Sequence, residues 1–272
     1  SAYDIADSHP CRPWIIQNVR DDGVARGNNI GLDASVGDYV LFLRPDTFLE
    51  DPDSLKRLMS VLGTTIEYAA IGPRVLDRRG RHQAGDAGYR VTLLHAFNDA
   101  FGLTRVFRRC RGLHVRHPAI LNSVAWDVDW VTGRCLLTRR TVLDRAGRFD
   151  EHGAAHGADV EWGARLRRHG FRLAYIPGIT VIQGAAAAEP DEDRIPPVYP
   201  PLSPGWIARI LGQYADSRPG AAPMAAMRAV LATGFFFRAV GYAVRGKGFP
   251  ARSAWRCAGT ALRLPVAAPG AQ

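Results

Sequence analysis

The residue of this sequence best placed for ligand chemistry is Asp46, a carboxylate that follows a short apolar run. That run, residues 39–43, is apolar on both faces and predicts a strand buried in a sheet. Pro45 donates no hydrogen bond and ends the strand, which leaves Asp46 at its carboxyl end. Open α/β sheets bind their ligands at that edge. The alternative interpretation is an aspartate that only caps the turn after Pro45.

Two histidine pairs, His114 with His117 and His152 with His156, have spacings that also occur in metal sites. Apart from Asp159, no cysteine or carboxylate cluster completes either pair, so the spacing predicts no histidine metal centre. The four cysteines lie far apart without a C-x-x-C pair. This pattern argues against a zinc site or a disulfide framework and is typical of a reducing compartment.

The elements that would position Asp46 alternate between strands and helices. A helix start is predicted at Asp51-Pro52-Asp53, where an acidic cap precedes proline at the first helical position. Further strands are predicted near residues 69–73, 128–137, 171–177 and 179–182, with a helix at 157–169. The alternation predicts an α/β fold, Rossmann-like, in which helices flank a mostly parallel sheet.

The composition changes after Gly184 and predicts four regions. In order, these are a domain over 1–184, a Pro- and Ala-rich linker or mobile loop over 185–204, basic amphipathic helices over 205–264 and a disordered tail over 265–272. The helix predicted over 223–244 contains three consecutive phenylalanines, but Arg228 and Arg238 interrupt it, which disfavours a membrane span. It either lies on anionic lipid or packs on the main domain.

The net charge narrows the class of partner. The 272 residues carry a formal charge of +9 at pH 7, which favours polyanionic partners: nucleic acid, anionic lipid or phosphorylated substrates. No recognition motif for nucleic acid is visible, so no nucleic-acid partner is predicted.

Four segments within roughly residues 14–184 form an ordered set: residues 23–31, 43–47, 130–151 and 158–177. Together they resemble the family-2 glycosyltransferases of the GT-A fold, in particular their bacterial rhamnosyltransferase-like branch. Each segment is weak alone, and the four in one order make the resemblance specific to the fold.

The resemblance implies a nucleotide-sugar donor, a hydroxyl acceptor on a lipid-linked or cell-wall glycan, and transfer with inversion. It assigns Asp159 as the general base and Asp46 to the site of the donor diphosphate and of a divalent metal, Mg²⁺ or Mn²⁺, whose retention is left open. The remaining assignments are Arg44, Asn28 and Asn29 for the donor, and Trp130, Gly133, Glu161 and Trp162 for the acceptor. For the asparagines and the tryptophans, structural packing is the alternative.

Three positions depart from the family pattern, which has Asn or Asp at Arg44, Glu at Ala158 and His at Gln183. Arg44 could neutralise the diphosphate directly, or be a surface arginine without a role. Only 22 residues precede Gly23, fewer than the ~30 of a β-α-β unit. This leaves open a truncated chain, a partner protein that supplies the unit, or a homologue that has lost donor binding.

The sequence therefore fits two functions. One is a cytoplasmic glycosyltransferase, free or peripheral on the inner face of the membrane. The other is a non-catalytic GT-A-like protein that binds glycan, lipid or an active glycosyltransferase.

Overall fold

The computed structural model of the chain describes residues 13–18, 23–83, 85–107, 109–151, 158–184, 204–218 and 220–263. In that part of the chain a central sheet is flanked by helices. The strands are β1 Tyr39–Leu43, β2 Thr47–Phe48, β3 Tyr68–Asp77, β4 Ala87–Gly88, β5 Trp126–Val128, β6 Trp130–Val131, β7 Cys135–Arg139 and β8 Arg172–Gln183. The helices are α1 Val24–Ala34, α2 Ser54–Thr64, α3 Leu93–Ala100, α4 Leu103–Val106, α5 Pro118–Leu121, α6 Arg140–Ala146, α7 Ala158–Arg168, α8 Pro204–Ser217, α9 Ala221–Val244 and α10 Gly248–Arg263.

The six-stranded sheet has the order β1-β7-β3-β8-β2, and β5 pairs with the first part of β8, at Leu173 to Tyr175. β8 is one strand where the sequence predicted two, and its register with β3 shifts between Ile176 and Thr180. The longest ladder joins β3 to β8 in parallel. In the ladder between β1 and β7, Leu43 lies opposite Cys135. The turn that leads into β7 therefore meets the carboxyl end of β1.

Helices cover both faces of the sheet. Leu136 packs in one core cluster with the side chains of α1, α6 and α7, whereas its neighbour Leu137 packs in a second cluster with Leu58 and Leu62 of α2. Successive residues of a strand point to opposite faces, so this division shows that β7 is buried from both sides.

The α/β class, with a central sheet and flanking helices, is confirmed, but the prediction of a mostly parallel sheet is wrong. Among the described strands, β3 and β8 form the one parallel pair of the central sheet, and the other pairings are antiparallel. The prediction failed because an alternation of strands and helices, like an apolar run on both faces of a strand, indicates burial between helical layers and carries no information on strand direction. An antiparallel strand between two helical layers has the same pattern.

The helix after Asp46 begins later than predicted. Its first residue is Ser54, and Pro52 lies before it, in a turn where Asp51 Oδ1 accepts the backbone N–H of Asp53 at 2.9 Å. The acidic cap and the proline therefore build the turn that precedes the helix.

The three C-terminal helices share one buried cluster with α3, which α9 crosses. Ile207 of α8, Met227 of α9 and Cys257 of α10 share a buried cluster with Ala96 of α3. At the crossing of α9 and α3, a Cβ on Gly234 would lie 2.4 Å from the Cβ of Ala100, so glycine permits the close approach.

The two regions predicted beside these helices fall outside the described residues: the linker over 185–204, apart from Pro204, and the tail over 265–272. Among the described residues, α9 is the one helix long and apolar enough to cross a membrane. Part of it is buried against α3 and α10.

Candidate active site

Asp46 lies in a tight turn at the carboxyl end of β1. Thr47 donates its backbone N–H to the carbonyl of Arg44 at 3.0 Å, which closes the turn. The carbonyl of Asp46 accepts the backbone N–H of Gly184 at 2.7 Å, which joins this turn to the end of β8. The predicted position of Asp46, at the edge of the sheet, is therefore the one observed.

The carboxylate of Asp46 is held by three side chains, one of which is Thr47, whose Oγ1 donates to Oδ1 at 3.4 Å. Arg44 donates from Nε to Oδ1 at 3.1 Å and from Nη2 to Oδ2 at 3.4 Å, and Gln183 donates from Nε2 to Oδ2 at 2.9 Å. Burial raises the pKa of Asp46, but the hydrogen bond from Gln183 and the positive charge of Arg44 lower it by more. The net pKa lies below the ordinary value, so Asp46 is ionised at neutral pH.

Two further arginines lie at this edge. Arg44 donates its backbone N–H to the carbonyl of Arg134 at 2.9 Å, one step beyond the pair Leu43–Cys135, so the two arginines are directly opposite across the antiparallel ladder. The Nη1 atom of Arg134 is buried and has no hydrogen-bond partner among the described residues. Next to the Asp46 turn, a Cβ on Gly184 would lie 3.1 Å from Nη2 of Arg78.

These residues do not fit a divalent metal ion. Mg²⁺ and Mn²⁺ prefer several oxygen ligands. Each oxygen of Asp46 already accepts two hydrogen bonds, from Arg44 and Thr47 at Oδ1 and from Arg44 and Gln183 at Oδ2. The part of the chain that the structure describes holds no group of three or more His, Cys, Asp or Glu residues able to bind a metal. Arginine at positions 44, 78 and 134 also makes the edge net positive, which repels a cation.

Asp159 lies in the first turn of α7, where the positive end of the helix dipole stabilises a carboxylate. Its Oδ2 accepts the backbone N–H of Gly133 at 3.0 Å, and its Oδ1 accepts the N–H of Val160 at 2.9 Å. Each carboxylate oxygen has two lone pairs, so one on each remains available to a ligand. Asp159 is partly exposed, which leaves it open to solvent.

One turn, residues 132–134, connects the two carboxylates. Its Gly133 donates to Asp159, and its Arg134 accepts from the backbone of Arg44, whose guanidinium holds Asp46. The structure thus brings Asp46, Arg44, Gly133 and Asp159 to the same end of β1 and β7.

The two asparagines of α1 differ in environment. Asn29 is 1% exposed. Its Nδ2 donates to the carbonyl of Phe149 and to Oε1 of Glu151, both at 2.8 Å, and its Oδ1 accepts the N–H of Phe149 at 3.1 Å. Asn28 is half-buried and has no such contact among the described residues. The geometry matches the structural alternative for Asn29, which fixes the loop that leads towards α7.

Both tryptophans assigned to the acceptor are buried. Trp162 is fully buried and donates from Nε1 to the carbonyl of Gly147 at 2.9 Å. Trp130 is 6% exposed, and its Nε1 donates to the carbonyl of Tyr89 at 3.3 Å. A side chain with so little exposed surface offers no platform for a sugar. The burial corrects the acceptor assignment and matches the core alternative.

The side chain of Glu161 is bound to Arg165, one turn later in the same helix. Its two carboxylate oxygens accept from Nε and Nη2 of Arg165 at 3.2 and 2.8 Å, and Arg165 also donates to the carbonyls of Ala146 and Arg148. Glu161 therefore orients the arginine that ties α7 to the loop after α6.

Neither histidine pair forms a cluster of metal ligands among the described residues. His114 is buried, with Nδ1 3.2 Å from Oδ2 of Asp99, whereas Nδ1 of His117 accepts the N–H of Ala119. His152 and His156 lie outside the described residues.

Comparisons with known proteins agree on one family. Residues 2–191 match the family described as "Glycosyltransferase like family 2". The chain is 37% identical over 158 residues to N-acetylglucosaminyl-diphospho-decaprenol L-rhamnosyltransferase of Mycobacterium tuberculosis, which covers 56% of this chain and 48% of that protein. It is 30% identical over 171 residues to the O-antigen biosynthesis protein RfbC of Myxococcus xanthus, which covers 62% of this chain and 12% of that protein. The chain thus spans about half the length of the first relative and much less of the second.

A solved structure shows the same fold. The mannosyltransferase PcManGT from Pyrobaculum calidifontis, in complex with GDP-Man and Mn²⁺, superposes with a TM-score of 0.54 at 14% identity. The match covers 96% of this chain and 71% of that one.

Proposed function

The chain belongs to the glycosyltransferase family 2, and from that premise we propose that it transfers a sugar, with inversion, from a nucleotide-sugar donor to a hydroxyl of a lipid-linked or cell-wall glycan. Asp159 acts as the general base and the edge around Asp46 holds the donor diphosphate. The second function considered from the sequence, a non-catalytic GT-A-like protein, is the result that the experiment below would reveal.

The named relatives support the choice of substrates. The Mycobacterium tuberculosis relative is named as a rhamnosyltransferase that acts on a lipid diphosphate carrying N-acetylglucosamine, and the Myxococcus xanthus relative as a protein of O-antigen biosynthesis. Rhamnose is therefore the donor sugar that we propose, and a glycan on a polyprenyl diphosphate is the acceptor.

The proposed reaction is a single displacement. The acceptor hydroxyl oxygen attacks the anomeric carbon and its proton passes to the carboxylate of Asp159. The bond from that carbon to the diphosphate breaks, and its electron pair leaves with the diphosphate oxygen. A carboxylate suits the base because the hydroxyl loses its proton only as the new bond forms. The hydrogen bond from Gly133 keeps the carboxylate facing the turn at 132–134.

The observation that carries the proposal is the attachment of Asp159 and of the Asp46–Arg44 pair to that one turn. Gly133 N–H lies 3.0 Å from Asp159, and Arg44 N–H lies 2.9 Å from the carbonyl of Arg134. Two adjacent residues therefore set the spacing between a base and a phosphate-binding cation, as a displacement between acceptor and donor requires.

The experiment is a transfer assay with the full chain. Rhamnose linked to each common nucleoside diphosphate is offered with N-acetylglucosaminyl-diphosphodecaprenol, and glycolipid products are separated and counted. We expect product with one donor, and a fall of roughly 10²–10⁴ in rate for Asp159→Asn. The matched control is Asp144→Asn, which removes the same charge from an exposed position on α6 and should leave the rate unchanged.

Absence of product with every donor, together with absence of donor binding, would favour the non-catalytic alternative. An Asp159→Asn variant as fast as the wild type would refute the role of the base while leaving the transfer itself established.

We also propose that the chain works as a peripheral protein on the cytoplasmic face of an anionic membrane. An aromatic row is exposed across α3, α9 and α10: Phe97 lies 4.6 Å from Phe101, Phe101 6.1 Å from Phe237, Phe237 5.8 Å from Phe236, and Phe236 5.9 Å from Trp255, between ring centroids. Each ring is at least 40% exposed, and Trp255 is 61% exposed. Aromatic side chains of this kind favour the membrane interface.

The charge around the aromatic row fits anionic lipid. Residues 220–263 contain seven Arg or Lys residues and no Asp or Glu. Five of these basic residues are exposed, two just after α9 and three along α10: Arg245, Lys247, Arg252, Arg256 and Arg263. Each basic residue near an anionic surface contributes about 1 kcal/mol of attraction.

Vesicle flotation tests this placement. The full chain should float with vesicles of phosphatidylcholine and phosphatidylglycerol, and binding should fall at 1 M salt, where the screening length is about 3 Å. Replacement of Phe236, Phe237 and Trp255 by Ser should abolish flotation. The control replaces Val36, Ile66 and Val124, exposed apolar residues elsewhere, by Ser. Flotation unaffected by the first triple, or a concentration-dependent dimer without flotation, would refute the membrane placement.

A further inference from the structure

We propose that Arg44, Arg134 and Arg78 bind the diphosphate of the donor in place of a divalent metal ion, so that donor binding needs no metal. The inference rests on the proposed function, because it names how the same site neutralises its substrate. It differs from the Mn²⁺ complex of the structural neighbour, whose likeness to this chain extends to the fold.

The first argument is the pair of arginines across the ladder. Arg44 and Arg134 are directly opposite at the carboxyl end of β1, joined by the backbone bond of 2.9 Å. Like charges directly opposite in an antiparallel pair destabilise the sheet. Asp46 offsets one of the two charges, since it holds Arg44. An anionic ligand between the two side chains would offset the other.

The second argument is the unsatisfied guanidinium of Arg134. Its Nη1 is buried without a hydrogen-bond partner among the described residues, and an unpaired buried donor is unfavourable. Such a group in a native protein indicates a ligand or a functional role. A phosphate oxygen satisfies it, because guanidinium and phosphate match in geometry and in charge.

The third argument is the orientation of Arg44. Its contacts with Asp46 use Nε and Nη2, so Nη1 and the second hydrogen of Nη2 remain available. Asp46 thus positions a cation, whereas a metal-binding aspartate would have to give up hydrogen bonds from its three side-chain partners. Gln183, which also donates to Asp46, holds the carboxylate in this orientation.

Arg78 adds a third charge on the β8 side of the turn. It is exposed, and its Nη2 lies close to the backbone of Gly184, which is hydrogen-bonded to Asp46. Three arginines at one edge of the sheet, against the one carboxylate of Asp46, leave a net positive site, which attracts a diphosphate. As the bond from sugar to oxygen breaks, negative charge grows on the leaving diphosphate, and fixed N–H donors stabilise it.

The experiment is calorimetric titration of the full chain with UDP, GDP, dTDP, ADP and CDP, in EDTA and again in Mn²⁺. We expect one of these to bind with the same Kd in both buffers. Arg134→Gln should weaken binding about tenfold to a hundredfold, as expected for the loss of a charge-assisted hydrogen bond to phosphate. The control is Arg168→Gln, an exposed arginine at the end of α7, with the wild-type Kd expected.

The Arg44→Asp variant gives a second, independent readout. It replaces the cation by a carboxylate beside Asp46, so it should bind Mn²⁺, detected by loss of the free-ion signal in electron paramagnetic resonance. The wild type should leave that signal unchanged. A melting curve of each variant shows that the comparison is between folded proteins.

Binding by the wild type that disappears in EDTA and returns with Mn²⁺ would overturn this inference alone. A wild-type Kd for Arg134→Gln would also overturn it. Absence of binding in both buffers would overturn it together with the proposed function.

Discussion

Replacement of Asn29 by Ala should destabilise the protein far more than replacement of its neighbour Asn28. Asn29 is 1% exposed and makes two buried hydrogen bonds with the backbone of Phe149, at 2.8 and 3.1 Å. The Asn29→Ala variant leaves that N–H and that carbonyl without partners. Asn28 lies half-buried on the same helix, and its side chain makes no hydrogen bond with the described residues, so Asn28→Ala is the matched control.

The magnitude follows from the two unpaired groups. Each buried donor or acceptor left unsatisfied costs about 1–3 kcal/mol, so we expect about 2–5 kcal/mol for Asn29→Ala. The third hydrogen bond, to Glu151, is partly exposed, and water can replace it. For a domain of this size, each 1 kcal/mol lowers Tm by about 2–4 °C. The control should change the free energy of unfolding by no more than about 0.5 kcal/mol.

Urea unfolding followed by tryptophan fluorescence measures both variants. The signal reports on the same region, because the ring of Trp162 lies 5.4 Å from the ring of Phe149. Equal midpoints for Asn29→Ala and Asn28→Ala, with unchanged slopes, would refute the structural role of Asn29. A loss of donor binding without a loss of stability would restore the donor role assigned to it from the sequence.

Three further predictions concern packing, pH and thiol chemistry. Gly163→Ala should lower the free energy of unfolding by about 1–3 kcal/mol, because the added Cβ would lie 2.5 Å from a backbone carbonyl oxygen. Gly27→Ala, which meets open space, should raise it by about 0.5–1 kcal/mol. Thermal melts compare the two variants. Burial raises the pKa of Asp77, but the backbone N–H and guanidinium of Arg81 lower it by more. The ionised Asp77 therefore stabilises the folded state fully above the pKa of an unfolded aspartate, about 3.9, and this contribution is lost as the pH falls below that value. Asp77→Asn should therefore lose less stability than the wild type between pH 7 and pH 3, and a parallel loss would contradict the ion pair. Burial raises the pKa of Cys135 to about 12, so a thiol reagent should leave it unmodified until denaturant is added, as peptide mass mapping would show.

The position of Asp46 at the edge of the sheet could be predicted from the sequence, because the residues that indicate it are neighbours along the chain. An apolar run ended by Pro45 is enough to place Asp46 at the end of a strand. The acid at the start of α7 is a similar local signal. Strand direction is not local, since it depends on how distant segments pair, and the sheet proved mostly antiparallel among the described strands.

The roles of the remaining site residues could not be predicted, because they depend on strand register and on burial, and no short sequence pattern shows either. Arg134 is one residue among many arginines in the sequence, and only the pairing of β1 with β7 places it opposite Arg44. Trp130 and Trp162 could have lined a groove, but each indole N–H finds a backbone carbonyl inside the protein. Polar atoms satisfied in this way allow large aromatic side chains to be buried.

The central claim is that Asp159 removes the acceptor proton in a single displacement at the arginine-lined edge of the sheet. The most direct test is the anomeric configuration of the product, read by proton NMR after reaction of the wild type in EDTA. The prediction is a product inverted relative to the donor, and no detectable product from Asp159→Asn over the same time. A retained configuration, or the same yield from Asp159→Asn, would contradict the claim.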